Sequence, residues 1–513
     1  MNEDNRANEG GEENKEQLIS SNNNQLDEME YTSKNENLEK NIEETPENKE
    51  ENQNKETIIN EAQEEKKENE DEDEGKFIIE NIDDRNWFRR TFGKMSPGAL
   101  RGSIFSLSIL SLGIGSLAIP QKIGIMGIIL SPIFIISSGL ANLWSLRILG
   151  DMCLKFKLKK YEQVVSHLFG KGMSYFVGIV MIINQTGVII LYQVILYKLL
   201  GGIINELGKY NYPNIEDFAE YTFWNKFWVR FLVCYGITII ILFPLCQLKD
   251  VSKMRYASTF GMFSLFILIF IIVVECPFFI KENIVKKKQP LNYYDILPGL
   301  KGNMKLLQSI VTLFYAYACH VGAFPVFESL YNPTKKRIDK LLNRAISIDI
   351  ICYLIIGAAG YLSQPLKTPD LIIERDKIFS SDWLMTLGNF FFMFTLIAKI
   401  CVNYNAQRSS ILILLQYKTN DFPNSINYII TSSVLAITTI VAISFQSISD
   451  YISLIGSFCT VVICFCVPGM IYIKGNDYPL TYYKNILTIV FISLILIIGI
   501  TSGIFTIKGI IEK

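Results

Sequence analysis

Most of this chain consists of long apolar runs that are separated by short polar or charged stretches. Eleven of these runs, each of about 18–30 residues, have the length that a helix needs to cross a bilayer. They are Ser103–Pro120, Gly124–Gly150, Met173–Leu200, Trp228–Leu248, Tyr256–Cys276, Leu306–Pro325, Leu342–Ser363, Trp383–Leu415, Ile426–Phe445, Tyr451–Lys474 and Ile486–Ile507. Only the stretch QKIG marks the boundary between the first two runs. The pattern predicts an all-α integral membrane protein with about eleven transmembrane helices.

The charge is distributed unevenly along the chain. Residues 1–85 carry 29 acidic and 10 basic side chains, a balance of −19, whereas residues 86–513 carry 21 acidic and 39 basic ones, a balance of +18. An acidic stretch rich in Asn, Glu and Lys and poor in aromatics cannot bury enough apolar surface to fold. We therefore expect a disordered acidic tail over residues 1–95 and a transmembrane domain over residues 96–511. No signal peptide is predicted, because the first apolar run begins near Ile104.

The loops that alternate along the chain differ in their basic residues, which indicates the orientation in the membrane. One set of loops, which includes the segment before the first run, is rich in Lys and Arg. Its members are Arg89, Arg90, Lys94, Arg101, Lys155, Lys157, Lys159, Lys160, Lys249, Lys253, Arg255, Lys335, Lys336, Arg337, Lys340 and Arg344. The other loops are mixed or acidic, apart from the one that holds Lys286–Lys288. The N-terminus is therefore predicted in the cytoplasm and the C-terminus on the far side.

Two of the runs contain residues that interrupt a membrane helix. The first includes SILSLGIGSLAIP, residues 108–120, and the sixth includes TLFYAYACHVGAFPVFESL, residues 312–330. Glycine destabilises a helix interior, and serine side chains can bond the backbone groups that a break exposes. Close helix packing would also explain the glycines, and His320 would serve as a structural residue or handle protons. Two breaks five segments apart indicate two five-helix inverted repeats, with the substrate site at the breaks.

The residues resemble the amino acid/auxin permease family, and its neutral amino acid transporters most of all. ACHVGAFPVFESLYNPTKKR and NRAISIDIICYLIIGAAGYL resemble the sixth and seventh helices of that family. GALRGSIFSLSILSLGIGSLAIPQKIG resembles the first helix, and LIGSFCTVVICFCVPGMIYIK resembles the tenth. The resemblance covers roughly residues 96–510. It implies a LeuT-like fold of two five-helix inverted repeats plus one extra helix, and secondary active transport of amino acids.

The chemistry of an amino acid suits the two breaks. Its carboxylate needs N–H donors and a positive half-helix end, which the first-run break supplies, and its ammonium needs carbonyls from the sixth-run break. Tyr192 matches a family tyrosine that reaches the carboxylate or closes the pocket, although it would also serve as a packing aromatic. Tyr317 is expected to tune side-chain selectivity. The predicted substrate-binding residues are Ser111, Gly113, Ile114, Gly115, Ser116, Tyr192, Tyr315, Ala316 and Tyr317.

Lys399 is a cation in the middle of an apolar run, where a charge is costly and normally faces a partner or a cavity. Thr395, Lys399, Asn403 and Gln407 recur every four residues and form a polar stripe on one helix face. The family resemblance places Lys399 where sodium-coupled relatives have a sodium-binding hydroxyl, and Ile109 where they have an asparagine. Lys399, Thr395 and Ile109 are therefore the candidate coupling residues. They imply sodium-independent transport, either proton-coupled as a symport or facilitative.

Other functions remain as alternatives. The protein would be a transporter-like sensor that signals through its acidic tail, or a carrier of cationic amino acids, since carbonyls or aromatics can hold a cation. A channel is disfavoured because no ring of like charges or repeated filter sequence is visible. No nucleophile–base pair, cofactor motif or metal-binding cysteine pattern indicates an enzyme or a metalloprotein, and no basic face indicates nucleic acid.

The predicted partners are an amino acid substrate, the lipid bilayer and a possible cytoplasmic partner for the tail. The membrane is predicted to be the plasma membrane or that of an acidic vacuolar or lysosome-like compartment.

Overall fold

The structure, a computed structural model, describes residues 99–211, 227–248, 254–289, 291, 305–366, 368–376, 383–417, 422–444, 448–476 and 478–512. The predicted acidic tail therefore lies outside the described residues, as do the basic residues Arg89, Arg90, Lys94, Lys249 and Lys253. The described part is helical and contains no strand.

Sixteen α-helices follow one another along the described ranges, and we number them α1 to α16. They are α1 Leu100–Ser111, α2 Ile114–Met126, α3 Leu130–Phe156, α4 Tyr161–Phe169, α5 Lys171–Asn211, α6 Phe227–Ile237, α7 Phe243–Cys246, α8 Met254–Phe279, α9 Lys305–Ala316, α10 His320–Glu328, α11 Lys335–Ser363, α12 Trp383–Leu414, α13 Asn424–Ser444, α14 Ile448–Ile455, α15 Val467–Gly475 and α16 Tyr483–Ile511. Short π-helical stretches join α6 to α7 and α14 to α15, and a further one extends α8. Each apolar run predicted from the sequence coincides with one or two of these helices.

The helices confirm an all-α membrane protein. Within the described ranges, nine helices are long and apolar enough to span a membrane, and α1 with α2 forms a tenth, bent span. The run at 228–248 corresponds to a shorter apolar helix, Phe231–Cys246. By length and composition, the described residues thus support nine to ten spans, and the number eleven stays a prediction.

The first two spans meet later in the chain than the sequence suggested. We expected the boundary at QKIG, but α2 continues through that stretch and through Pro120 as far as Met126. The helix ends at Gly127, whose φ of 87° is a left-handed conformation that glycine adopts without strain. The Gly127 N–H donates to the Ile123 carbonyl at 2.7 Å and closes the last turn.

Packing between spans places both interrupted helices inside the bundle. The α11 helix packs against α1, α2 and α3, and α12 packs against α5 and α8. The α16 helix instead exposes a row of large apolar side chains, including Leu487 and Ile497. Such a surface suits contact with lipid tails, because a row of exposed apolar side chains is unfavourable in water.

Candidate substrate and coupling site

The first span breaks between α1 and α2, and the two helices are bent by 54° at that point. Gly113 precedes α2, and its carbonyl accepts bonds from the Ser116 N–H at 3.0 Å and the Ser116 hydroxyl at 2.5 Å. Ser116 therefore fixes the turn, while the first amides of α2 at Ile114 and Gly115 have no intrahelical acceptor. A helix N-terminus carries partial positive charge, so this end of α2 suits a carboxylate.

The sixth span breaks between α9, which ends at Ala316, and α10, which begins at His320. We expected unpaired carbonyls around Tyr315, Ala316 and Tyr317, but two of these are already engaged. The Tyr315 carbonyl accepts the Ala318 N–H at 3.0 Å, and the Ala316 carbonyl accepts the Tyr353 hydroxyl at 2.6 Å. A carbonyl oxygen has a second lone pair, so both can still accept a bond from an ammonium group.

The two breaks lie against each other. A Cβ added at Gly115 would lie 2.6 Å from the Ala316 Cα atom and 2.8 Å from its Cβ atom. Only glycine lets the backbone of α2 approach α9 this closely. The α2 N-terminus and the α9 C-terminus thus present opposite partial charges to the same space, which matches the two ends of an amino acid.

A cavity of about 40 Å³ lies between the breaks. Its walls come from both broken spans, from α5 and from the α12 and α14–α15 regions. They are formed by Leu110, Ser111, Gly113, Ile114, Gly115, Asn184, Gln185, Val188, Tyr192, Tyr315, Ala316, Ala318, Cys319, His320, Val321, Gly322, Asn403, Ile463 and Cys464. Seven of the nine predicted substrate-binding residues are among them, the exceptions being Ser116 and Tyr317.

Tyr192 closes the side of the cavity next to the first break. Its side chain is buried and lines the cavity, and its hydroxyl lies 3.2 Å from the position that a Gly113 Cβ would take. The hydroxyl is thus close to the end of α2 where a carboxylate would bind. Asn184 and Gln185 also line the cavity, and the Gln185 amide donates to Asn403 Oδ1 at 3.3 Å.

Tyr317 lies away from the cavity. Its hydroxyl donates to the Ile135 carbonyl on α3 at 3.1 Å, and its ring contacts Tyr353 edge-on at a centroid distance of 4.7 Å. Both contacts are those of a packing residue. Tyr315, by contrast, lines the cavity. The sequence alone did not distinguish these two neighbouring tyrosines.

Lys399 lies directly behind the first break. Its side chain is 4% exposed, and its Nζ atom has no hydrogen-bond partner among the described residues. A Cβ added at Gly113 would lie 2.5 Å from this nitrogen, and the centre of the Tyr192 ring lies 5.7 Å from it. The ammonium therefore lies next to Gly113, which lines the cavity at the end that suits a carboxylate.

The polar stripe on α12 divides between neighbouring helices. The Thr395 hydroxyl donates to the Gly261 carbonyl of α8 at 2.9 Å, whereas Gln407 donates to Thr186 on α5 at 2.6 Å. Ile109 is buried and approaches the same Gly261. The side chains of Ile109 and Lys399 do not fit a sodium ion, because the first offers no oxygen and the second brings a positive charge.

Two residues of α11 that the sequence did not indicate lie at the first break. Asp349 accepts a hydrogen bond from the Ser111 hydroxyl, and Tyr353 follows one turn later on the same face. The Tyr353 hydroxyl lies 3.0 Å from the Ser111 carbonyl and 2.6 Å from the Ala316 carbonyl. It therefore bonds the open ends of α1 and α9 together. The sequence does show Asp349 as a lone acidic residue inside the apolar stretch IDIICYL, and this was the sign that could have drawn attention to it.

His320 begins α10 and also lines the cavity. Its Nε2 atom lies 2.6 Å from the Ser145 hydroxyl, and its Nδ1 atom has no hydrogen-bond partner among the described residues. The Ser145 contact ties α10 to α3, as a structural residue would. The buried Nδ1 atom without a partner could bind or release a proton, so the observation is also consistent with the proton-handling alternative.

Replacing Tyr353 by phenylalanine should destabilise the protein, because two buried carbonyls lose their shared donor. An unsatisfied buried group costs about 1–3 kcal/mol, so we expect a clearly lower unfolding temperature in detergent. The exposed Tyr428, changed to phenylalanine, provides the control and should leave that temperature unchanged. Equal unfolding temperatures for Tyr353→Phe and wild type would show that the hydroxyl does not hold α1 and α9 together.

The family model for transmembrane amino acid transporter proteins matches residues 98–511 of this chain. The chain belongs to this family. The match includes both broken spans, the cavity and the helix that carries Lys399, and it begins three residues after the predicted tail ends. The resemblance noted in the sequence is thereby confirmed at the level of the family.

Several amino acid transporters are 23% identical to the chain over the residues that align with it. Amino acid transporter AVT6E of Arabidopsis thaliana is 23% identical over 264 residues, which are 51% of each protein. Putative amino acid transporter AAT1 of Plasmodium falciparum is 23% identical over 330 residues, 64% of this chain and 50% of that protein. The chain thus spans about half the length of these relatives.

Vacuolar amino acid transporter 5 of Schizosaccharomyces pombe is 23% identical over 396 residues, and the alignment covers 74% of this chain and 87% of that protein. Among solved structures, the crystal structure of an Eremococcus coleocola manganese transporter matches with a TM-score of 0.47 and 11% identity. That match covers 80% of this chain and 87% of the other.

Proposed function

We propose that this protein carries amino acids, and neutral ones in particular, across a membrane by alternating access and without sodium. The observation that carries the proposal is the position of the Lys399 ammonium beside Gly113, a residue that lines the cavity between the two broken spans. The family, whose relatives are named as amino acid transporters, supports the substrate class.

In this proposal the substrate carboxylate binds at the N-terminus of α2. The amides of Ile114 and Gly115 donate to it, the Tyr192 hydroxyl approaches from α5, and the Lys399 ammonium supplies the charge that a sodium ion provides in sodium-coupled carriers. The substrate ammonium binds at the opposite wall, where the carbonyls of Tyr315 and Ala316 end α9. Residues of both repeats thus contact one substrate molecule.

The absence of an acidic side chain from the described lining of the cavity supports a neutral substrate. A cationic side chain would enter the membrane interior without a paired charge at the cavity wall, which is costly. Asp349 lies behind Ser111 and favours the second candidate, a carrier of cationic amino acids. Ser111 separates the carboxylate from the cavity, so we give the neutral class preference.

Alternating access needs a hinge at the breaks. The α1 helix joins α2 through Leu112 and Gly113 alone, and the Tyr353 hydroxyl bonds the end of α1 to the end of α9. Movement of α1 away from α9 would break this bond and open one side of the cavity. We propose that residues 96–511 carry out transport across the plasma membrane or the membrane of an acidic vacuole-like compartment, with residues 1–95 in the cytoplasm.

Uptake of a labelled amino acid panel into proteoliposomes tests the substrate class. We expect saturable uptake of small neutral amino acids that unlabelled substrate on the opposite side accelerates, as carriers show and channels do not. Preference for lysine or arginine would replace the neutral class by the cationic one. Linear, unsaturable flux would contradict the carrier mechanism, and no uptake of any amino acid would contradict the proposed function.

A further inference from the structure

Asp349 is a buried carboxyl group in the middle of a membrane-spanning helix. It is 1% exposed and lies in α11, between the basic residues at the start of this helix and the Gly357–Gly360 region. Its Oδ2 atom accepts the Ser111 hydroxyl bond, and its Oδ1 atom has no hydrogen-bond partner among the described residues. A carboxylate in such a place is costly unless it is paired or neutralised, and intramembrane acids of this kind mark ion or proton pathways.

The groups that act electrostatically on Asp349 come from several elements. Lys399 acts from α12, Tyr317 and Cys319 from the sixth-span break, and Cys352 and Tyr353 from its own helix. Ser108 and Ser111 contribute hydroxyls from α1. Tyrosine and cysteine are ordinarily neutral at physiological pH, so Lys399 is the charged member of this described set.

Asp349 and Lys399 stand on opposite sides of the first break without touching. No ion pair within 4.0 Å joins them, and each has an atom without a hydrogen-bond partner in the described part of the chain. Ser111 and Gly113, which line the cavity, separate the two groups. A ligand that enters the cavity at the first break therefore changes the electrostatic environment of both.

We propose that Asp349 binds the proton that is transported together with the substrate. The inference rests on the proposed function and adds to it the group that couples transport to a proton gradient. In the empty protein, the Asp349 carboxylate and the Lys399 ammonium balance each other across the break. A substrate carboxylate brings a second negative charge to the end of α2, and a proton that binds to Asp349 removes the negative charge of that side chain.

Proton and substrate binding are therefore coupled in both directions. Ionised Asp349 repels a carboxylate that binds beyond Ser111, so the substrate binds more tightly once the proton is in place, and the proton binds more tightly once the substrate is in place. The proton comes from the aqueous side to which the cavity is open, and it leaves from Asp349 on the other side with the substrate. No other bond forms or breaks.

The test counts protons during substrate binding to the purified full-length protein. A preferred amino acid from the uptake panel is added in weakly buffered detergent solution with a pH indicator, and the dissociation constant is measured in acidic and in neutral buffer. In buffer alkaline enough for Asp349 to be ionised in the empty protein, wild type should take up about one proton per bound substrate, and its affinity should fall up to about tenfold for each pH unit above the range in which Asp349 ionises.

Asp349→Asn should take up no proton and should bind substrate with an affinity that no longer depends on pH. Asp339→Asn is the matched control, since Asp339 is a partly exposed acid on the same helix, and it should behave as wild type. Proton uptake that persists in Asp349→Asn and is lost in Lys399→Met would overturn the proposal and assign the proton to Lys399. Substrate binding by wild type with no proton uptake at any pH would overturn it too.

Two further measurements keep the proposal falsifiable if Asp349→Asn does not fold. Asp349→Glu should keep proton uptake but shift its pH range, since the carboxyl group remains and its position changes. Infrared difference spectra of wild type should show a protonated carboxylic acid when substrate is added, and no such band would contradict the proposal. If none of the panel binds to wild type, the proposed function itself fails, and this result is distinct from binding without a proton.

Discussion

Replacing Gly115 by valine should abolish transport, with uptake at least about a hundredfold below wild type. A Cβ at this position would meet the Ala316 backbone at 2.6 Å, and backbone cannot move aside as the end of a flexible side chain can. The two broken spans would separate, and the donors of α2 would no longer face the carbonyls of α9. A misplacement of binding groups by about 1 Å can cost a factor of a hundred in rate.

Gly115 is also a predicted substrate-binding residue, so a side chain there would disturb both the contact between the helices and the substrate site. Uptake into proteoliposomes and the elution profile from size-exclusion chromatography measure the two effects separately. Gly202→Val is the control, because a Cβ there meets nothing within 4 Å. Near-normal uptake by Gly115→Val would show that the breaks need not touch.

Replacing Lys399 by methionine should lower pH-dependent uptake by about 10- to 100-fold, because the substrate carboxylate loses a charged donor worth about 1.5–3 kcal/mol. The same substitution should not lower the stability of the protein. The Lys399 Nζ atom is buried without a hydrogen-bond partner among the described residues, so removing the charge at similar volume should leave the unfolding temperature equal or higher in acidic buffer, where Asp349 is protonated and needs no counter-charge.

The combination of intact folding and lost uptake separates a coupling role from a structural one. Lys508→Met, which removes an exposed lysine on α16, is the control and should affect neither property. Lys399→Thr should also lose uptake, and it should not become sodium-dependent while Ile109 offers no oxygen ligand. A fall in unfolding temperature without a specific loss of uptake would instead make Lys399 a structural residue.

Much of the fold follows from the sequence because apolar length and glycine content have direct physical consequences. A run of twenty apolar residues has few alternatives to a membrane helix, and the Gly113–Gly115 and Tyr317–Cys319 segments indicated the breaks. The end of α2 was misplaced because the polar stretch QKIG was taken as the boundary. The helix continues through it to Met126, and Gly127 makes the turn.

The candidate site was only partly predictable. Residues at the breaks could be listed from the sequence, but which tyrosine points into the cavity depends on the rotation of each helix, which the sequence pattern left open for Tyr315 and Tyr317. Asp349 and Tyr353 approach the first break only through the packing of α11, which is a contact between distant parts of the chain. Their importance therefore became visible only when α11 and α1 were placed together.

The sodium dependence of wild-type uptake tests the central claim most directly. Purified protein in proteoliposomes should accumulate a neutral amino acid at the same rate whether the external salt is sodium chloride or choline chloride, because Lys399 replaces the mobile cation. Uptake under an inward proton gradient, measured in the same vesicles, shows whether transport is proton-coupled or facilitative. An uptake that requires a sodium gradient would contradict the account.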